Sequence, residues 1–348
     1  MKAIRVKPTL LIFVLGIAVF IVSMVAVSYG STDVSFQEVW QYLLIKIGYL
    51  PEDYLSKTVQ DVISLIRLPR VIAAVLVGIG LSYAGTVMQA LVRNPVADPY
   101  TLGISSGAYL GAVLAIMLGF GKSQFGSEAI GISAFLGALL IAILVLVIAQ
   151  IGGRSNTMKL LLTGMAVSSA SQAIANFIVF LANDREGMRT VTFWTMGSLG
   201  GVNWESNRLL FIIVISGFVF FALFHRLLDL MLLGDEQALT LGVDLGKYRI
   251  MCILIVSIVV GFIVNASGII GFIGLIIPHF ARMLVGTNHK YLLPVSSLLG
   301  SIVLVLADVL SRTLISHTEI PIGILISLIG APVFVYILIR HTYKEGVQ

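Results

Sequence analysis

The chain has 348 residues, 58% of them hydrophobic and only 11% charged, with a mean hydropathy of +1.03. A soluble protein of this size needs roughly a quarter of its residues charged, so the composition excludes a water-soluble globule and makes lipid the solvent for most of the surface. The net charge of +5 then reads as basic loops on one side of a membrane rather than as a nucleic-acid footprint, and the single cysteine, Cys252, excludes an intrachain disulfide and any cysteine-based zinc site.

Apolar runs separated by short polar breaks predict ten membrane-spanning helices, at 9–28, 71–92, 101–119, 129–150, 159–181, 207–226, 249–266, 269–285, 292–311 and 321–340. They are read as helices because lipid offers a backbone group no partner outside its own segment. The first run follows Lys2, Arg5 and Lys7 and so resembles a signal peptide. Its length, near the ~20 residues that span a bilayer, and the spans after it favour an uncleaved helix.

Residues 29–70 are polar and form an external segment, with a short amphipathic helix expected around 34–47. The segment closes on Arg67-Leu-Pro-Arg70. Two readings fit: a helix start with proline in its first turn, or fixed positive charges that dock an acidic partner. After the second span comes "RNPVADPYTLGISSGA", Arg93–Ala108, where Pro95 and Pro99 stiffen the link, Asn94 and Asp98 can cap backbone groups and Thr101 can open the next span. Small residues at Gly103, Ser106, Gly107 and Gly111, and at Gly131 and Gly137, predict close helix approach. The fifth span carries a mildly polar, uncharged strip of Thr163, Ser168, Ser169, Ser171, Gln172 and Asn176.

Residues 227–248 form the second long connection. Its apolar residues recur at helical spacing and are interrupted by Gly234, which predicts two short helices at the membrane face with an apolar side that a partner would cover. In "GIIGFIGLIIPHFAR", 268–282, Gly268, Gly271 and Gly274 recur every three residues and predict one thin packing face. Pro278 must release a carbonyl that neighbouring groups have to satisfy, and His279 and Arg282 fall at the inner end. Asp308 and Arg312, four residues apart, share a helix face and can pair.

Orientation follows from the loops. With the N-terminus in the cytoplasm, thirteen of the 22 Lys and Arg residues fall inside, and both termini are cytoplasmic. Gly121-Lys122-Ser123 lacks the glycine and the strand–helix context of a phosphate-binding loop, so hydrolysis of nucleotide is assigned to a separate subunit. No histidine pair has metal-site spacing, and mid-membrane charges of the kind a gradient-driven carrier uses are nearly absent. No catalytic residue, cofactor or resident metal is expected.

"RLPR" with "GTVMQALVRNPVADPYTLGISSGA", "NTMKLLLTG", "GDEQALTLGVDLGK", "GIIGFIGLIIPHFAR" and "EIPIGILISLIGAPVFVYIL" together resemble the FecCD family of ABC importer permeases, which includes cobalamin, haem and ferric-siderophore permeases. The resemblance covers nearly everything beyond the first span. It implies an all-α, ten-helix permease of the type II importer fold, a homodimer or a heterodimer with a paralogue, a substrate-binding protein docking outside and two ATPase subunits docking inside. By motif, Arg67, Arg70 and Arg312 match the arginines that receive the binding protein. Asn94 and Val96, with Asn156 and Thr157, match the cytoplasmic gates. Gly234, Glu236, Ala238, Leu241 and Gly242 fall in the ATPase coupling helices. Thr163, Ser168, Gln172 and Asn176 are expected on the translocation path. The expected cargo is an intact iron chelate, with ferric siderophore first and haem or cobalamin as alternatives.

Overall fold

The structure, a computed structural model, describes residues 7–30, 34–151, 157–315 and 318–345. Asn156 of the expected gate lies outside them. Among the described residues there are helices and connections but no strand. The long helices are α1 (Pro8–Ser28), α3 (Lys57–Val92), α5 (Ala129–Gln150), α6 (Thr157–Ala182), α8 (Trp204–Leu223), α11 (Leu245–Ser267) and α13 (His289–Thr313), and these seven are long and apolar enough to cross a membrane. Three shorter apolar helices complete the ten expected: α4 (Ile104–Leu118), α12 (Ile273–Val285) and the apolar part, Ile322–Ile337, of α14 (Ile322–Glu345). Outside the spans lie α2 (Phe36–Lys46), α7 (Arg185–Thr195), α9 (His225–Leu233) and α10 (Asp235–Thr240).

Two expected boundaries move. The second span does not start after Arg67–Arg70: one helical run begins at Lys57 and carries Pro69 inside it. Proline lacks an N–H and crowds the carbonyl four residues back. The run accommodates this by widening to a π turn over Val62–Arg67, where the Leu68 N–H reaches Ile63 O. The eighth span is shorter than 269–285, because residues 268–272 are not helical and α12 begins at Ile273. Gly268 and Phe272 both adopt positive φ, 67° in each case, and turn the chain into α12.

The architecture centres on α3, which packs against α13, α12, α8 and α11. It can do so because glycines remove the side chains at the crossings. A Cβ on Gly85 would collide with the Gly274 carbonyl of α12, and one on Gly78 would press on Gly300 of α13. The close approach expected at these small residues joins α4 to α5, with Gly107 against Gly137 and Gly111 against Ser133. Without a hydrophobic force between helices in lipid, such backbone approach supplies the packing. The thin face expected of Gly268, Gly271 and Gly274 does not form as a stripe. Gly274 is jammed against Pro99 and α3 and Gly268 against Trp194, while Gly271 faces open space. Once residues 268–272 leave the helix, a spacing of three no longer puts the glycines on one side.

Candidate functional site

At the outer end the three arginines cluster, but not as open surface cations. Arg67 and Arg70 are only 3% and 6% exposed. Arg67 Nη1 donates to the carbonyls of Val27 and Ser28 at 2.7 and 2.8 Å, and Arg312 Nη1 donates to Tyr29 O at 2.7 Å. Both guanidiniums therefore close the C-terminal end of α1, where unpaired carbonyls and the helix dipole favour positive charge. Arg312 also pairs with Asp308 Oδ2 at 2.9 Å, the expected i, i+4 contact. Arg70 Nε donates to Asp308 Oδ1 at 2.8 Å, and its Nη1 contacts both carboxylate oxygens of Glu319 at 2.8 and 3.0 Å. Asp308 is fully buried and would be untenable there as a lone charge; two arginines hold it. Glu319 is the exposed member, with 54% of its side chain accessible. Neither Asp308–Arg70 nor Glu319–Arg70 is visible in sequence spacing, because the partners lie more than two hundred residues apart.

At the inner end, residues 93–103 form the expected rigid elbow. Arg93 ends α3 in the left-handed region at φ 53°. Asn94 Oδ1 accepts from Val96 N at 3.0 Å, and Asp98 Oδ1 accepts from Tyr100 N at 2.8 Å. Asp98 N donates to Thr101 Oγ1 at 3.0 Å, which completes a capping box. Asp98 thus caps a one-turn 3-10 helix, Pro99–Leu102, with Thr101 as its third residue, and α4 starts at Ile104 rather than at Thr101 as expected. Burial pushes the Asp98 carboxyl up to about 6, against the lowering pull of the Tyr100 N–H. Asn94 is half-buried, Val96 is exposed and Thr157 is half-buried at the start of α6. The elbow packs on α6 through Thr101 and Leu102, which lie against Gly164, about two turns beyond Thr157.

The 227–248 segment forms the two short helices expected, α9 and α10, broken at Gly234 with φ 101°. That conformation suits glycine, and the Arg93 guanidinium lies where a Cβ would stand. The elbow and the 227–248 segment therefore touch. Leu228, Met231 and Ala238 are buried, whereas Glu236, Gly242, Leu232, Leu233 and Leu239 are exposed and Leu241 is 61% exposed. One ion pair and one histidine–carboxylate contact anchor the segment to the spans. Arg249 of α11 donates to Asp235 at 2.6 Å, and His289 of α13 contacts Asp229 through its backbone N–H and Nδ1 at 3.0 and 2.6 Å. Burial raises the Asp229 carboxyl, but the His289 hydrogen bonds outweigh it and hold the group below its ordinary value.

Sequence reasoning missed Gln89. Pro278 releases the carbonyl of Gly274, and Gln89 Nε2 of α3 donates to Gly274 O and Leu275 O, both at 3.3 Å. Its Oε1 accepts from Arg282. One amide thus satisfies the proline kink of α12 and locks its basic inner end to α3. An amide inside one apolar span opposite a proline inside another was the available signal. His279, half-buried, stacks edge-on with Phe280.

Along α6 the polar strip divides. Ser171 is buried and bonded to Val167 O, and Ser168 is half-buried against Gly103. Thr163 is half-buried, whereas Ser169, Gln172 and Asn176 lie on the uncovered side, with Asn176 Oδ1 accepting from Tyr109 Oη at 3.0 Å. Apolar Met165, Ile174 and Phe177 flank them, also uncovered. A separate cleft of about 520 Å³ opens between α7, residues 269–271 and α14, lined by neutral residues that include Thr195, Met196, Gly271 and Ser327.

The FecCD transport family model matches residues 16–340, nearly the whole chain. The chain belongs to the FecCD transport family. It is 35% identical over 345 residues to the hemin transport system permease protein of Yersinia pestis, which covers 98% of this chain and 99% of that protein. It is 37% identical over 290 residues to the vitamin B12 import system permease protein of Salmonella paratyphi A, covering 83% and 87%. Among solved structures, a metal-chelate-type ABC transporter in an inward-facing conformation superposes with a TM-score of 0.82 at 32% identity, covering 96% of this chain and all of that one. The protein is a multi-pass membrane permease of the ABC importer class, a transporter component whose family implies ATPase partners, a substrate-binding protein and permease dimers.

Proposed function

We propose that this permease imports an intact metal chelate, with ferric siderophore as its cargo, in a complex with two ATPase subunits and an extracytoplasmic binding protein. The uncharged hydrogen-bonding strip of Ser169, Gln172 and Asn176 on the uncovered side of α6 carries the reading. Hydroxyl and amide groups suit a bulky ligand with a neutral polar periphery, which must slide past without tight binding. Haem is the second reading, favoured by the similarity to a hemin permease over the full chain. Its two carboxylates would call for cations on the path, and Arg or Lys is absent from this strip.

The rest of the assignment follows the faces. Residues 29–70 are external, and the outer arginine cluster receives the binding protein. Asn94, Val96 and Thr157, with Asn156, form the cytoplasmic gates. The exposed leucines of 227–248 enter a cleft of the ATPase. Because Arg93 touches Gly234, movement of the coupling helices reaches the elbow directly. ATP binding closes the ATPase dimer, and that displacement opens or shuts the gate.

The test is uptake by proteoliposomes containing the permease–ATPase complex, surveyed with binding proteins from the source genome and with a ferric hydroxamate, haem and cobalamin. Uptake of the ferric hydroxamate that needs ATP inside and a binding protein outside is the expected result. Preference for haem or cobalamin would replace the cargo. Uptake that ignores ATP and collapses with the proton gradient would overturn the importer mechanism.

A further inference from the structure

The outer cluster contains its own rival for the partner's carboxylate. We infer that Glu319 is a placeholder: it occupies Arg70 in the resting permease and is exchanged for an acidic side chain of the docking protein. The inference rests on the proposed docking of that protein at the arginine cluster.

Four observations carry it. Arg70, Arg312, Asp308 and Glu319 sum to zero charge, so these four are balanced at rest. Removing one member of a buried set strands a charge, and that is strongly unfavourable. A permease without Glu319 would therefore hold an under-compensated Arg70 whenever nothing was docked. Second, Glu319 is the accessible member of the four, at 54% of its side chain against 1% for Asp308, 7% for Arg70 and 6% for Arg312. A partner can reach it first. Third, both Glu319 oxygens crowd onto Nη1, and Arg70 Nη2 makes no hydrogen bond. Nε is held by Asp308 and Nη2 is buried, so Glu319 grips the guanidinium through one nitrogen only, a weaker hold than the two-nitrogen pair of a well-seated carboxylate. Fourth, the backbone around Glu319 is fixed. Ile320 N donates to Ser311 O at 3.0 Å, Ile322 N to Gly197 O at 3.1 Å and Gly323 N to Met196 O at 3.0 Å. Exchange needs only rotation of the Glu319 side chain, beside the exposed Gly200, and not refolding of the segment.

The three arginines then differ in role. Arg67 and Arg312 cap α1, Arg312 also supports Asp308, and Arg70 is the exchangeable contact. Releasing Glu319 would free a side chain at the entry to α14, next to the cleft lined by Met196 and Gly323.

The experiment measures affinity of the chelate-free binding protein identified in the uptake survey for the permease–ATPase complex in nanodiscs. Glu319→Gln, which keeps shape and removes charge, should bind about tenfold tighter, the scale of one charge-assisted pair. Glu319→Asp should stay within about twofold of wild type. Arg70→Gln should weaken binding, and Arg70→Gln with Glu319→Gln together should lose the gain. Unchanged or weaker binding by Glu319→Gln, with Arg70→Gln still impaired, would overturn the placeholder and leave docking intact. No effect of Arg70→Gln in a monodisperse complex would overturn the docking site and the placeholder with it.

Discussion

The two ends of this molecule solve the problem of an absent partner differently. At the outer end the charges close on one another: Asp308 and Glu319 neutralise Arg70 and Arg312, and Arg67 and Arg312 seal the end of α1. At the inner end Arg249 holds Asp235 and His289 holds Asp229, while Leu232, Leu233, Leu239 and Leu241 stand uncovered. The difference indicates what each partner must bring. An outer partner has to exchange charge for charge and can leave again. An inner partner has to supply an apolar cleft and stays. From that contrast we propose transient delivery outside and permanent coupling inside.

The largest expected effect is at the inner face. Leu241→Asp puts a charge into the proposed apolar contact and should abolish stimulation of ATPase activity by the loaded binding protein while the spans still fold. Unchanged stimulation in a fully assembled complex would show that this face does not couple. Next comes the outer network. Asp308→Asn removes the carboxylate that two buried guanidiniums share and should destabilise the permease by about 3–5 kcal/mol, seen as a clear drop in its thermal midpoint. A stable variant would mean that the network is not a closed unit.

Gln89→Leu should be milder, because it leaves the Gly274 carbonyl without its donor inside the bundle. A loss of about 1–3 kcal/mol is expected, together with weaker ATPase coupling, since α12 loses its tie to α3 at the inner end. Asp98 gives a pH signature in the elbow. Its folded value of about 6 lies above the ordinary 3.8. The native state therefore gains from its protonation, with that stability fully present below about pH 4 and lost as pH rises through about 6. Asp98→Asn should flatten the corresponding slope of thermal stability against pH, and an unaltered slope would remove Asp98 as its source. The smallest effect is expected at Gly271→Leu, since a side chain there meets open space, whereas Gly274→Leu should prevent assembly.

Much of the fold was legible because lipid makes the rule simple: apolar length gives the helix. The ten helices, the short helix at 36–46 and the break at Gly234 all came from periodicity and punctuation. The misplaced pieces share one cause, namely that backbone geometry depends on a neighbour. Pro69 looked like a helix start, but a π turn carries the helix through it. Gly271 looked like its neighbours at 268 and 274, but Phe272 turns the chain before α12 begins. Of the candidate site, residue types and faces were readable and pairings were not. Arg70 was visible as a cation, but its engagement by Glu319 was not, since nothing in sequence links positions 249 residues apart. Gln89 was one polar residue in an apolar run until the carbonyl freed by Pro278 appeared beside it.

The contrast between the two ends is tested most directly by salt. Stimulation of ATPase activity by the loaded binding protein can be titrated in nanodiscs from about 0.05 to 0.5 M salt, a range over which the screening length shrinks severalfold. The account predicts that the half-maximal concentration of binding protein rises steeply with salt, while the ATPase subunits stay bound and basal hydrolysis is unaltered. Salt-independent stimulation, or release of the ATPase subunits before the binding protein weakens, would contradict it.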